Sequence, residues 1–247
     1  MFQQNPATDM AKKEIIDELL KDLPTDTAIE VNLPSNNKIY RLADANAPIT
    51  LRPMTFEDEK HIISAERNQD PVNLILQRCV TNININDILS LDKLYLILKL
   101  REISYGDDYH TMLVCNKCKT ENTLVVKISE LNINEAPESF CDPVEVDLPS
   151  INKTARVKIP RVKDESLFST NEIYSQLWRF IKDIDGQDDK AIINAVLEKL
   201  PIRDMKIILK AMKTDFGVDT RIKFQCVECK EADVVELPID ANFFDAS

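Results

Sequence analysis

Apolar residues near the start of the chain recur at the spacing of an α-helix, with charged residues between them. They are Met10, Ile15, Ile16, Leu19, Leu20 and Leu23. Thr8 or Asp9 can cap the start of such a helix, and Pro24 would end it. The pattern predicts an amphipathic helix. We expect its apolar face to dock on its own domain or, alternatively, to present Ile15, Leu19 and Leu20 to a partner.

Alternating apolar and polar residues mark two similar segments further along the chain. Residues 29–38 read IEVNLPSNNK, and residues 144–153 read VEVDLPSINK. Each segment continues into a second β-prone stretch, over 39–42 and 155–159 respectively. Both therefore predict a β-hairpin with a turn at the Ser and Asn residues. The recurrence also indicates an internal duplication.

The duplication extends to the later part of each half. Cys115 and Cys226 lie 111 residues apart, and at the same offset Gly106 falls on Gly217. The apolar helical patterns that precede these glycines then align without a gap. Because the chain has only three glycines, the coincidence of two of them supports the duplication. Each is predicted to cap the end of an apolar helix before a strand begins.

Between these landmarks the two halves differ. The first half has a capping box over 55–58 and then an apolar helix opened by Pro71. The second half has a similar capping signal, followed by apolar positions that predict a helix over 173–184. A further helix is predicted to begin near Asp189 and to end before Pro201.

These patterns predict an α+β fold built from two tandem repeats. Each repeat runs β-hairpin, helices, strand, C-x-x-C motif and strand. We divide the chain into an N-terminal tail with its amphipathic helix (1–26), repeat 1 (27–134), a linker (135–140) and repeat 2 (141–247).

Composition and charge narrow the class of function. Of the 247 residues 44% are hydrophobic, enough for one large core or two small ones. The formal net charge of −11 repels phosphate backbones and anionic lipid heads, so we expect no binding to nucleic acid or membranes. The apolar runs are shorter than a bilayer span, and the N-terminus lacks the order of a signal peptide. A cytosolic protein is therefore expected.

The candidate chemistry lies in two C-x-x-C motifs, formed by Cys115 with Cys118 and by Cys226 with Cys229. A structural zinc ion takes four ligands in a tetrahedron, so two motifs that meet would complete one all-thiolate site. We expect one structural zinc per chain, in a zinc-ribbon-like site that joins the two repeats. A redox dithiol is the main alternative, although such a pair usually opens a helix, whereas these motifs lie between β-prone runs. Two separate disulfides are a further alternative.

Residues around the motifs modify this prediction only slightly. Gly often follows the second Cys of a zinc knuckle, whereas this chain has Lys119 and Lys230 there. These lysines can offset the negative charge of four thiolates. Cys79 lies in an apolar pattern and is predicted to be a small buried hydrophobe, and Cys141 receives no role.

The sequence offers little for catalysis. His61 and His110 are expected to be surface or packing residues, and the chain has no Gly-rich phosphate loop and no G-x-S-x-G motif. A zinc ion held by four cysteines also has no open position for water. We therefore expect no enzymatic activity and no small-molecule substrate. Phe243 and Phe244 near the C-terminus are expected either to fold back on the last strand or to bind a partner.

Three stretches resemble the baseplate-hub proteins of T4-type contractile-tailed bacteriophages. They are LRPMTFEDEK at 51–60, ISYGDDY at 103–109 before the first C-x-x-C, and LPIDANFF at 237–244 after the second. The resemblance covers most of the chain. It implies a hub component, or a hub-assembly factor or chaperone, without catalytic activity, and other baseplate and tail-hub proteins as its partners.

The resemblance also implies a location in the host cytoplasm during assembly and leaves open whether the protein stays in the virion. A zinc-ribbon nucleic-acid or transcription-associated factor is the main alternative from another class of function. A dithiol redox protein is the second alternative.

Overall fold

The computed structural model describes residues 6–21, 27–37, 39–64, 70–169, 172–239 and 241–244. Within these ranges the α-helices are α1 (Pro6–Leu20), α2 (Phe56–Ser64), α3 (Pro71–Cys79), α4 (Ser90–Tyr105), α5 (Glu165–Ser169), α6 (Lys190–Lys199) and α7 (Ile202–Ala211). The strands are β1 (Ile29–Glu30), β2 (Thr50–Leu51), β3 (Val80–Thr81), β4 (Asp108–Val114), β5 (Glu121–Lys127), β6 (Asn132–Asn134), β7 (Val144–Leu148), β8 (Lys153–Val157), β9 (Ile181–Ile184), β10 (Gly217–Asp219), β11 (Arg221–Gln225) and β12 (Ala232–Glu236). The fold is thus mixed helix and sheet, as predicted.

Each half contains a small antiparallel sheet, with strand order β1-β2-β3 in the first half and β7-β8-β9 in the second. The predicted hairpin of the second half is present, since β7 and β8 pair from Val144↔Val157 to Leu148↔Lys153. The predicted hairpin of the first half is wrong, because β1 pairs with Thr50 and Leu51 rather than with 39–42.

Side-chain contacts explain why residues 39–42 leave the sheet. The backbone of Asn36 and Asn37 is left-handed (φ 65° and 57°), and the Asn37 side chain accepts a hydrogen bond from the backbone N–H of Leu33. The hydroxyl of Tyr40 then donates to Asp92 on α4 and accepts from the backbone N–H of Leu89. This segment is therefore held against α4 instead of pairing as a strand.

Local signals predicted two helix starts correctly. Asp70 caps α3 just before Pro71, and Asp189 caps α6 by accepting hydrogen bonds from two backbone N–H groups at 2.9 and 3.0 Å. The helix predicted over 173–184 is wrong. That stretch forms a short 3₁₀ helix and then β9, which pairs with β8, and Arg156 of β8 binds Asp183 across the pair. Strand pairing outweighs the helical spacing here.

The two glycines that coincide in the duplication play different roles. Gly106 caps α4 as predicted, with φ 95° and its N–H bonded to the carbonyl of Glu102 at 3.0 Å. Gly217 is not a helix cap, because α7 already ends at Ala211 and Gly217 opens β10 with φ 116°. A Cβ at Gly217 would lie 3.4 Å from Leu91, so the strand passes close to α4.

Apolar side chains form three clusters in the described part of the chain. The first draws mainly on residues 31–128 and also includes Leu237 and Phe243, the second lies within 148–212, and the third surrounds the cysteine motifs. The end of the chain thus packs into the core of the first half. The division into repeats at 134–141 stays a prediction.

Helix α1 exposes its apolar face. Ile15, Ile16, Leu19 and Leu20 are 59%, 53%, 77% and 49% exposed, so the expectation that this face docks on its own domain is wrong for the residues described. No described helix is long and apolar enough to cross a membrane.

Candidate metal centre

Two antiparallel hairpins carry the cysteine motifs at their turns. Strands β4 and β5 pair over seven residues, from Asp108↔Lys127 to Val114↔Glu121, and β11 and β12 pair over five. In each hairpin the first Cys follows directly after the outgoing strand. The inward-facing side chains Leu113 and Phe224, only 9% and 5% exposed, pack with the cysteines in the third apolar cluster.

The two turns have the same local geometry. In the first, the N–H of Cys115 donates to the carbonyl of Thr120 at 2.9 Å, and the N–H of Lys119 donates to the carbonyl of Cys115 at 3.0 Å. In the second, Cys226 donates to Glu231 at 2.9 Å, and the residue after the second Cys donates back to Cys226 at 3.1 Å. The chain therefore forms the same closed loop twice.

The two lysines that replace the usual glycine adopt the backbone conformation that favours glycine. Lys119 has φ 63° and Lys230 has φ 58°. A non-glycine residue in this left-handed region carries a cost of about 1 kcal/mol, so the missing glycines strain the loops without changing their shape.

The structure brings the four predicted ligands together. The sulfurs of Cys115 and Cys229 lie 3.7 Å apart and those of Cys118 and Cys226 lie 3.5 Å apart, and all four Sγ atoms lie within 4.8 Å of one another. A tetrahedron with Zn–S bonds of about 2.3 Å has S···S edges of about 3.8 Å. The cluster therefore matches the size of a site that could hold one metal ion.

The same distances bear on the disulfide alternative. A disulfide needs about 2.05 Å between sulfurs, and all six cysteines are free thiols in the structure. Both of these close sulfur contacts run between the two motifs. This arrangement is typical of a shared site and not of two independent C-x-x-C pairs.

Hydrogen bonds favour the thiolate form of two of the sulfurs. The hydroxyl and backbone N–H of Thr120 lower the pKa of the Cys118 thiol to about 6, and the backbone N–H of Cys229 lowers the pKa of Cys226. At Cys229 the backbone of Glu231 also lowers the pKa, but burial and the neighbouring sulfurs outweigh it and raise the pKa to about 12. Neighbouring thiolates repel one another, so full ionisation of the cluster requires a bound cation.

Polar side chains connect the two hairpins around the cysteines. Asn122 is 2% exposed, and its Oδ1 accepts a hydrogen bond from the N–H of Val227 at 2.8 Å. On the outside, Asn116 donates to Asp233 at 2.8 Å and Lys117 binds Glu231 at 2.6 Å. Asn122 was not predicted from the sequence. Its only signal was a polar residue at an inward position of a strand.

The aromatic pair at the C-terminus was predicted either to fold back on the last strand or to bind a partner, and the structure shows it folded back onto the core of the first half instead. Phe243 is fully buried, with its ring 4.9 Å from that of Tyr109, and the Phe244 ring lies 5.4 Å from the Phe243 ring. The partner-binding prediction for Phe243 is therefore wrong, because the core of the first half already covers it. Phe244 is partly buried against the same core.

The other residues singled out lie away from the cluster. Cys79 is fully buried, as predicted, and burial raises the pKa of its thiol to about 11. Cys141 is exposed. His61 and His110 are both exposed, and His110 lies on the outward side of β4.

A comparison with protein families finds one matching model, described as T4 bacteriophage base plate protein, over residues 26–245. The matched region includes both cysteine motifs and covers most of the chain. Searches of curated proteins and of solved structures find no significant match.

Proposed function

Because the chain belongs to the T4 bacteriophage base plate protein family, we propose that it is a non-enzymatic component or assembly factor of the baseplate hub, stabilised by one structural zinc ion. The family makes a structural role in the phage tail the natural function. The hub assignment and the zinc ion go beyond what the family match shows.

The hub assignment rests on the three stretches that resemble hub proteins, and contacts among these stretches support it. From the first stretch, the backbone N–H of Met54 donates a hydrogen bond to the Ser104 hydroxyl oxygen at 2.9 Å, and Glu59 accepts one from the Tyr105 hydroxyl at 2.6 Å. Tyr109, at the end of the second stretch, donates to the carbonyl of Pro238 in the third at 3.0 Å. The three stretches thus contact one another around the end of α4. This supports the proposal that they form a structural framework shared with the hub proteins.

The chemistry of the cysteine cluster supports zinc as the bound ion. Four thiolates at the corners of a tetrahedron are typical of zinc or iron sites, and zinc needs no redox partner to be stable there. Cys115, Cys118, Cys226 and Cys229 would hold it with no open position. The ion would tie the first hairpin to the second and contribute to folding.

Matched contacts in the two halves support the proposed duplication. The backbone N–H and hydroxyl of Ser35 both donate to Asp92, and those of Ser150 both donate to Asp204. Each Asp is the third residue of its helix, α4 or α7, and is fully buried. Asp92 and Asp204 lie 112 positions apart, one more than the 111 positions that separate the matched cysteines. The helices of the two halves therefore align with a shift of one residue relative to the cysteine motifs.

The exposed face of α1 is the partner-binding surface in this proposal. Ile15, Leu19 and Leu20 extend from a strongly acidic body and would insert into an apolar groove of another hub protein. Binding would occur in the host cytoplasm during assembly. The protein then either stays in the tail baseplate or leaves the finished particle.

Affinity capture of the tagged full-length chain from infected cells tests the function. We expect baseplate-hub proteins among the captured partners, with strong loss of capture when Ile15, Leu19 and Leu20 are all replaced by Ser. Replacement of Glu14 and Asp17 by Ser on the opposite face should leave capture unchanged. Mass spectrometry of purified virions then separates component from assembly factor. Capture of no tail protein, or salt-sensitive capture of nucleic acid instead, would contradict the proposal.

A further inference from the structure

Asn122 occupies an unusual position for an amide side chain. It lies on β5, two residues after the closing residue of the first cysteine loop, and is 2% exposed. Burying an amide without partners costs about 1–3 kcal/mol. A buried polar group at this place therefore calls for a reason beyond packing.

The contacts of Asn122 supply that reason. Its Nδ2 donates to the carbonyl of Thr120 at 2.9 Å, and its Oδ1 accepts from the N–H of Val227 at 2.8 Å. The carbonyl of Thr120 is the group that closes the first loop on Cys115. Val227 stands inside the second loop, next to Cys226. One side chain thus bridges the backbones of both metal-binding loops.

An amide can make both of these bonds at once, because it carries a donor and an acceptor on one planar group. A carboxylate would place an acceptor against the Thr120 carbonyl, and an apolar side chain would leave the N–H of Val227 without its partner. The other N–H groups of the second loop are already engaged, since those of Glu228 and Cys229 point to the sulfur of Cys226. The backbone N–H of Val227 is therefore the group of this loop that can bond to a residue outside the loop.

The equivalent contact in the other half provides an internal comparison. At the offset of 111 residues Asn122 corresponds to Asp233 and Val227 corresponds to Asn116. Asp233 does contact Asn116, at 2.8 Å, but this bond joins two side chains at the exposed surface. The bridge between the loops is therefore buried on one side of the cluster and solvent-exposed on the other.

From this geometry we propose that Asn122 is a positioning residue for the metal centre. It holds the second cysteine loop against the first so that the four sulfurs converge before the ion binds. The inference rests on the proposed function, because it assumes that the cluster binds zinc. Its consequence is a higher zinc affinity than two loosely tethered motifs would have.

Zinc titration of the full-length protein tests this role, with competition by a chromophoric chelator to measure the dissociation constant. Replacing groups that orient metal ligands typically weakens metal affinity by about 10- to 100-fold, and we expect a loss of this size for Asn122→Ala. Asn122→Ser, whose hydroxyl can still accept from Val227, should lose less. Asn116→Ala removes only the exposed bond and should stay within about twofold of the wild type.

Two readouts separate positioning from general destabilisation. Co²⁺ absorption should show that Asn122→Ala still forms a four-thiolate site, while the zinc dissociation constant rises at a temperature where the protein is folded. A residue that acted only through overall folding would lower the unfolding temperature and leave that constant unchanged. Wild-type affinity in both Asn122 variants, or equal losses in Asn116→Ala, would overturn the proposal. A wild-type chain that binds no zinc would instead refute the zinc site itself.

Discussion

At the scale of single residues, Asp58 shows how a fully buried carboxylate is kept charged. It accepts hydrogen bonds from Arg52 and Arg78, both at 2.7 Å, and from the backbone N–H of Thr55 at 2.9 Å. Burial alone would raise the pKa of Asp58, but these hydrogen bonds outweigh it and lower the pKa well below the usual value. The residue thus links the start of α2 to α3.

We expect Asp58→Asn to lower the free energy of unfolding by about 2–3 kcal/mol at pH 7, because hydrogen bonds to a charged partner are lost. Since the folded-state pKa is depressed, the stability that Asp58 contributes is present above the unfolded-state pKa of about 3.9 and is lost as pH falls below it. Urea unfolding of both proteins between pH 7 and pH 3 measures this. The difference between them should shrink toward pH 3, and a difference that is constant with pH would argue against the assigned charge.

At the scale of elements, the Leu-Pro-Ser turns are anchored to helix starts. Ser150 donates its backbone N–H and its hydroxyl to Asp204, at 3.0 and 2.9 Å. Asp204 is fully buried in the first turn of α7, where the helix dipole also favours a negative charge. The turn between β7 and β8 is therefore fixed to α7 by one side chain.

Asp204→Ala should destabilise the protein by about 2 kcal/mol, because the two hydrogen bonds from Ser150 to the buried Asp204 side chain are lost. A double-mutant cycle with Ser150→Ala should show a coupling of about 1 kcal/mol. Glu198→Ala, at an exposed position of α6, serves as the control and should change stability by less than about 0.5 kcal/mol. Additive effects of Asp204→Ala and Ser150→Ala would mean that the contact contributes no coupling.

At the scale of the whole molecule, the cysteine cluster joins a hairpin from the middle of the chain to one near its C-terminal end. Cys118 and Cys226 are separated by 108 positions yet lie 3.5 Å apart at their sulfurs. Metal binding at such a site is part of the folding free energy. Loss of the ion should therefore destabilise both hairpins at once.

Elemental analysis should find about one zinc per chain. Cys226→Ser should remove it and raise amide hydrogen exchange in β4 and β5 as well as in β11 and β12, because the shared ion restrains both hairpins. Cys141→Ser, which changes an exposed cysteine outside the cluster, should retain the metal and the wild-type exchange pattern. Faster exchange in the second hairpin alone would show that the two motifs do not share an ion.

The features that the sequence by itself determined arise from interactions between residues that are close together in the chain. The cysteine spacing, the helix starts at Pro71 and Asp189 and the 144–157 hairpin each depend on residues within a few positions of one another. Such interactions form in the same way wherever the segment lies in the fold. They also predicted the four cysteines that the structure brings together, because each motif already places two sulfurs on one tight turn.

Only the tertiary structure decided the pairing of Ile29 with Leu51, the strand over Ile181–Ile184, the burial of Phe243 and the bridge made by Asn122. Each of these depends on a partner brought close by the fold, which for Asn122 and Val227 is 105 positions away. The free energy of such contacts comes from burial and from satisfying polar groups inside the core. Neither quantity can be read from a local pattern, since both are set by which segments the folded chain brings together.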